Sequence, residues 1–327
     1  MINQIPKTVK QLANENFVGA DKSSENLKYK DFSRVDLSGT NMAKADLEGA
    51  FFISSKLKNA NFEGANLLRT RFETTDLSTV NVVDASFEGS LLVHVNLGET
   101  DLTGVSLHNS HLVSLKVDYG QLRKTNIQGV YFDEMDFSGA DFSEMNLTST
   151  KFKHSDLTAV SFKGSKLCGT DFTGADLSGC DFSHIEMNYA YFEDAVFFMA
   201  NCEGMDFSEV DSGGMDFTHA YLVKANFYRC NLITSIFNNT YAVGISLRDA
   251  EIQNSSLVHC DFSDGDLRNV NLSGCDLSFS KLNGVNLTGA NLQNTLLEGT
   301  DFTGAIIDGV EWDGAEILDA IGLQASL

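Results

Sequence analysis

No stretch of this chain approaches the roughly 20 consecutive apolar residues that a bilayer-spanning helix needs. The opening MINQIPKTVK also lacks the apolar core of a signal peptide. Basic residues are scarce: 23 Lys and Arg stand against 45 Asp and Glu, a formal net charge of -22. Phosphates attract Lys and Arg, so direct nucleic-acid binding is not expected. An anionic membrane surface would repel such a chain, so no membrane partner is expected either. These absences point to the cytoplasm, with non-classical export as the other route. There is a single proline, Pro6, and a single tryptophan, against 27 Gly and 24 Phe. A hydrophobic fraction of 43% is that of a folded protein, which excludes wholesale disorder.

What the chain has in abundance is one period. Every fifth residue from Leu27 to Ile317 is large and apolar, through 59 consecutive positions without insertion or deletion. Only Cys202, Ser212 and Ala242 depart from this rule. Two residues earlier, small side chains dominate, as at Ala45, Ala50, Ser55 and Ala60, and one residue earlier Asp or Asn predominates, as at Asp36, Asn41 and Asp46. Five fits neither the 3.6 of a helix nor the 2 of a strand. A chain buries two residues in five if it turns a corner after each short extended segment. Four segments then close a square coil of about 20 residues, and successive coils hydrogen-bond as strands at about 4.8 Å. Gly follows many of the corners, as in Ser38-Gly39 and Thr103-Gly104, which suits a tight turn.

The runs ADLEG (45–49), ANFEG (60–64), ADFSE (140–144), TDFTGADLSG (170–179) and VNLTGANLQN (285–294) carry a specific resemblance. The chain resembles the pentapeptide-repeat superfamily, whose consensus is A-(D/N)-L-x-x. The resemblance implies an all-β protein, a right-handed quadrilateral β-helix of about 15 coils, with short terminal caps. Three segments are expected: an N-terminal cap over 1–26, with a short helix at Lys7–Glu15; the repeat over 27–317; and a C-terminal cap over 318–327. Ile317, Leu318 and Ile321 fall at helical spacing with Leu323 just beyond. They are expected to form a hydrophobic lid. Some members of the family it resembles pair through this end, so a homodimer contact there is also expected.

Catalysis is not expected. Cys180, Cys230, Cys260 and Cys275 occupy the small inward position, Cys202 the large one, and no CxxC or Cys/His ligand spacing occurs. The thiols are expected to be free and mostly buried. His219 and His259 share a column at two coils' separation, and His94 and His154 at three, too far apart to share a metal. No phosphate loop or nucleophile elbow is present. No cofactor or metal is expected.

Two surface features remain. Residues 1–125 carry 15 acids and 14 bases, whereas 126–220 carry 17 and 4, and 221–327 carry 13 and 5. Folding by 20 stacks Asp136, Asp156 and Asp176 on consecutive coils with Asp216 further along, and sets Asp141 and Asp181 in a second column. Gyrase-protecting members of the family it resembles are thought to mimic DNA. By that resemblance these columns are a candidate DNA-mimic surface, and a type II topoisomerase such as DNA gyrase a candidate partner. The second feature is an apolar stripe of Phe51, Ile53, Leu91, Val93, Val113 and Tyr131, interrupted by Arg71, Glu73 and His111, with Tyr191 three coils on. Tyr221 and Tyr241 form a smaller pair. Aligned apolar residues in normally polar slots suggest a contact surface. The leading expectation is a non-enzymatic protein-binding scaffold that docks through the stripe. The alternatives are the topoisomerase ligand and a bacterial effector that binds a host protein.

Overall fold

A computed structural model of the chain describes residues 12, 15–183, 185 and 187–323. They fall into two compact units, Met1–Met135 with Asn146–Phe152, and Asp136–Met145 with Lys153–Leu327. In each unit the backbone advances as parallel coils of 20 residues: Asp36 bridges Lys56 in the first, and Tyr221 bridges Tyr241 in the second.

One segment shows why the period is five. Leu37 points inward and is fully buried. Its N–H donates to the Lys56 carbonyl at 2.8 Å, and the Lys56 N–H donates to Val35 at 3.0 Å. The chain then turns, closed by the Thr40 N–H on the Leu37 carbonyl at 3.0 Å. Gly39, third in that turn, has φ 67°, the left-handed conformation that a type II turn demands. The Asp36 carboxylate accepts the Ser38 N–H at 3.1 Å. The frequent Asp or Asn before each large residue is therefore a turn-former, its oxygen taking the N–H two residues on.

The small inward slot has its own chemistry. Many of its hydroxyls donate to the carbonyl 23 residues earlier, as Thr40 to Phe17 at 2.6 Å, Ser55 to Phe32 at 2.8 Å and Ser280 to Leu257 at 2.6 Å. Others, such as Ser110 to Leu107 at 2.6 Å, reach the carbonyl three residues earlier. Cysteine does the same, with Cys230 Sγ 2.7 Å from the Phe207 carbonyl and Cys180 Sγ 3.1 Å from that of Leu157. Burial pushes the thiols of Cys180, Cys230, Cys260 and Cys275 up to about 12, and Cys202 well above its ordinary value. All six cysteines are free and only Cys168 is exposed. Thiolate is the reactive species. A thiol-specific chromogenic reagent should therefore titrate one thiol, Cys168, in the folded protein and all six after unfolding. Fast reaction of a second thiol under native conditions would contradict this packing.

Inside the coils the phenylalanines stack in columns. Phe197, Phe217 and Phe237 lie 20 residues apart with ring centroids 4.9 Å apart at each step, close to the strand spacing. Phe207 and Phe227 stack at 4.6 Å and meet the first column edge to face.

Most of the backbone makes isolated bridges, but the first unit also contains longer pairs. These are β1 (Phe51–Ile53), β2 (Arg71–Glu73), β3 (Leu91–Val93), β4 (Asn96–Gly98), β5 (His111–Val113), β6 (Lys116–Val117) and β7 (Tyr131–Asp133), with a helical turn α1 (Tyr119–Leu122) before β7. Strands β1, β2, β3, β5 and β7 form one parallel sheet in that order. Phe51, Arg71, Leu91, His111 and Tyr131 stand in the slot that Asp or Asn often fills, so no such side-chain oxygen closes a turn there. Tyr221 and Tyr241 fill the same slot in the second unit and the chain still turns, so this absence permits the extended pairing without enforcing it. In β4 an Asn is present, but its Oδ1 has no hydrogen-bond partner. There too the chain stays extended.

Three features depart from the sequence-based expectations. Val117 and Leu122 keep the five-residue frame, yet between them the chain leaves the coil for α1, where the Asp118 carboxylate accepts the Gly120 N–H at 2.9 Å. Gly120 holds the small inward slot and has no side chain to fill it. At the N-terminal side, coil geometry runs ahead of residue 27: Asp21 bridges Asn41, Asn26 bridges Asp46, and Phe17 is buried. Backbone bonds sustain the coil there even though Lys22 occupies a large inward slot. The helix expected over Lys7–Glu15 lies, but for Leu12 and Glu15, outside the described residues. At the other end the helical spacing of Ile317, Leu318 and Ile321 is not realised. Glu316 bridges Leu296 and Ile321 bridges Asp301, so the segment is a further coil. Bonds such as Gly299 N–H to the Leu318 carbonyl at 2.9 Å hold it to the previous coil, which a helix could not do. Ile317, Leu318 and Ile321 are exposed there, and Leu323 is half-buried.

Candidate interaction surfaces

The sheet of the first unit gathers the apolar stripe. Register places Phe51, Arg71, Leu91, His111 and Tyr131 in one row, and Ile53, Glu73, Val93, Val113 and Asp133 in the next. Between the rows run Phe52, Phe72, Leu92, Leu112 and Phe132, all facing the core. Phe51, Ile53, Leu91, Val93, Val113 and Tyr131 are half-buried, each shielded on one side by its neighbours along the ladder. Arg71 and Glu73, neighbours on the face, pair with each other: Arg71 Nη2 lies 2.7 Å from Glu73 Oε2. The His111 and Tyr131 rings stack with centroids 3.9 Å apart. The product is a face with apolar and aromatic edges around the paired Arg71 and Glu73. Tyr191 belongs to the second unit, where it bridges Asp171, so it is not a member of this sheet.

The acidic columns also form as register requires. Asp136 bridges Asp156, which bridges Asp176, whereas Asp216 pairs with Val196 and Ile236, and Ser161 stands between Asp141 and Asp181. Each carboxylate has a local task. Asp136 Oδ1 accepts the Ser138 N–H at 2.9 Å and hydroxyl at 2.7 Å, and these bonds hold its pKa below the ordinary value. Asp156 and Asp176 accept the N–H groups of Thr158 and Ser178, each at 2.9 Å. In other columns an Asn relieves the repulsion: Asn201 Nδ2 donates to Asp181 Oδ1 at 3.0 Å and Asn66 Nδ2 to Asp46 Oδ1 at 3.0 Å. The 136–156–176 column lacks such an Asn. Tyr221 and Tyr241 stack at 5.4 Å in the second unit.

Among the described residues no group of three or more His, Cys, Asp or Glu side chains is placed to hold a metal ion. No helix among them is long and apolar enough to cross a membrane.

Such stacked parallel coils define a β-solenoid, and comparison with known proteins narrows the class. The sequence matches the pentapeptide repeat region over residues 85–162 and 215–292. It matches the pentapeptide repeats of eight copies over 23–52, 31–69, 55–92, 155–187, 175–211 and 280–311. The chain belongs to the pentapeptide-repeat family, whose members are right-handed quadrilateral β-helices and generally structural or interaction proteins. No curated protein matches significantly. Among solved structures, HetL, a regulator of heterocyst differentiation from the cyanobacterium Nostoc sp. strain PCC 7120, is similar at 17% identity over 91% of this chain and 87% of its own, with a TM-score of 0.22. QnrB1, a plasmid-mediated fluoroquinolone resistance protein, is 16% identical over 57% of this chain and 92% of its own, TM-score 0.20. A pentapeptide repeat protein of the Arabidopsis thaliana thylakoid lumen is 30% identical over 32% of this chain and 63% of its own, TM-score 0.17. At these scores the superpositions carry nothing beyond the shared repeat.

Proposed function

We propose that this chain is a non-enzymatic protein-binding scaffold whose docking face is the β1–β2–β3–β5–β7 sheet. One observation carries the reading. In the slot before the large inward residue, which the repeat often fills with Asp or Asn, this face places Phe51, Leu91 and Tyr131, and in the slot after it Ile53, Val93 and Val113, so that register aligns them in two rows. Apolar residues aligned on a flat ladder lose water on contact with a partner, while scattered ones do not form a patch. With Arg71 and Glu73 paired to each other, such a face binds mainly through buried area, so salt should weaken the complex little. The test is affinity capture from the source cells with wild type and a Phe51→Ser, Tyr131→Ser variant. A stoichiometric partner, retained at high salt and lost with the variant, is expected. Partners that survive the double substitution would refute this face.

A second reading rests on the stacked Asp136–Asp156–Asp176 column: an anionic surface that occupies the DNA groove of a topoisomerase. Asn keeps the acceptor oxygen that closes each turn and removes the charge. The triple Asp→Asn variant should therefore keep or raise the melting temperature. If this column is the site, wild type inhibits gyrase supercoiling or protects it from a quinolone, the variant does neither, and binding falls steeply with salt. No effect of wild type at micromolar concentration removes this reading and leaves the sheet face standing.

A further inference from the structure

In the second unit two consecutive coils part. Asp171 bridges Tyr191 on one side and Asp211 bridges Asn231 on the other, but Tyr191 and Asp211, 20 residues apart, make no bridge. By the rule of the coil, the N–H groups of Tyr189, Asp206 and Asp211 would donate to the carbonyls of Ser208, Ile185 and Ala190. None of these bonds is present among the described residues. The cause lies at Ser212, one of the three positions where the large inward residue is missing. With no bulky side chain to hold the coil open, the Ser212 hydroxyl accepts the Phe192 N–H at 3.2 Å, in place of the backbone carbonyl the rule assigns to it. The sequence matches to the family lapse at this same point, between residues 211 and 215.

The parting leaves a groove of about 410 Å³, lined by Met187–Tyr191 and by Asp206 and Ser208–Ser212. Its chemistry is one-sided. Asp206, Glu209 and Asp211 are exposed and take part in no ion pair among the described residues, and no Lys or Arg lines the groove. Asp206 and Asp211 each spend one oxygen on a neighbouring coil, accepting from Asn226 Nδ2 at 2.9 Å and Asn231 Nδ2 at 2.8 Å. Tyr189 is 84% exposed and Tyr191 56%, so two aromatic faces border the carboxylates.

We infer that this groove binds an extended, arginine- or lysine-bearing peptide segment of a partner protein. Open edges of two parallel strands offer N–H and C=O groups to an added strand. The carboxylates select cationic side chains, and tyrosine faces favour a guanidinium over an aliphatic chain. The volume suits a short run of residues and excludes a folded domain. The site is independent of the sheet face in the first unit and differs from it in chemistry.

The test is fluorescence anisotropy with a labelled eight-residue peptide alternating threonine and arginine, its ends blocked. Saturable one-to-one binding is expected, and none for the peptide with glutamate in place of arginine. Glu209→Gln with Asp211→Asn should weaken binding about tenfold, and Tyr189→Ser about fivefold. The triple Asp136→Asn, Asp156→Asn, Asp176→Asn variant, which removes more charge elsewhere, should leave it unchanged. These side chains are exposed, except the half-buried Asp176, whose replacement by Asn keeps the oxygen that accepts the Ser178 N–H, so folding is not at risk. Amide exchange supplies the second readout: the Tyr189 and Asp211 amides should exchange freely alone and slow when peptide is bound. The inference falls if binding does not saturate by ~1 mM, or if the triple variant weakens it as much as the groove variant, which would mark diffuse attraction. It also falls if those amides are already protected without peptide.

Discussion

Replacing Phe217 by alanine is expected to cost about 3–5 kcal/mol, the range for emptying a large aromatic site in a packed core. Phe217 is fully buried and touches four other rings: Phe197 and Phe237 stacked at 4.9 Å, Phe207 and Phe227 edge to face at 5.6 and 5.5 Å. A coil held at strand spacing by its backbone bonds has little freedom to collapse onto the void. The damage should also be local, because each coil of a solenoid contacts only its neighbours. Amide exchange is the measurement: protection should fall most between residues 197 and 237 and persist in coils several turns away. Uniform loss of protection throughout the second unit would show that cooperativity extends further than nearest neighbours.

Ala225 gives the second large effect, through polarity rather than volume. It sits fully buried in the small inward slot. Ala225→Ser should change stability by less than about 1 kcal/mol. By the rule followed by Thr40, Ser55, Cys230 and Ser280, the new hydroxyl reaches the carbonyl 23 residues earlier, here that of Cys202. Ala225→Asp should cost more than about 4 kcal/mol, because a carboxylate in that slot meets carbonyl oxygens and no cation. The acid would be held neutral, its pKa raised by burial. The unfolded chain then binds fewer protons than the folded one at neutral pH, so the deficit should grow as pH rises and shrink toward pH 4. Urea unfolding of the three proteins at two pH values decides it. A serine variant as damaged as the aspartate variant would overturn the hydroxyl rule.

The sheet face shows how much of a candidate site a strict period makes legible. Because residues 20 apart must stack, the rows Phe51–Arg71–Leu91–His111–Tyr131 and Ile53–Glu73–Val93–Val113 could be written from the sequence, and register confirms them. The acidic column over Asp136, Asp156 and Asp176 was legible for the same reason. The groove was not. Its signal, Ser212 in a large inward slot, is visible in the sequence, but Cys202 and Ala242 break the same rule, and beside each the bond from the preceding coil is intact, Phe182 N–H to the Asn201 carbonyl at 2.7 Å and Leu222 N–H to the Tyr241 carbonyl at 2.8 Å. Only the local backbone tells a tolerated vacancy from one at which the coils part. At the C-terminal side the error ran the other way: apolar residues at helical spacing suggested a helix where the repeat simply continues.

By itself, then, the sequence determined the period, the identity of the inward residues, the columns on the surface and the family. Each follows from a five-residue pattern that is satisfied by backbone bonds between neighbouring coils and depends little on the rest of the molecule. The tertiary structure decided where the backbone departs from that pattern: the extended sheet in place of Asx turns, the helical turn at Tyr119–Leu122, and the parted coils beside Ser212. These depend on the balance between one side chain's volume or oxygen and the hydrogen bonds of adjacent coils, and that balance is struck only when the coils are stacked.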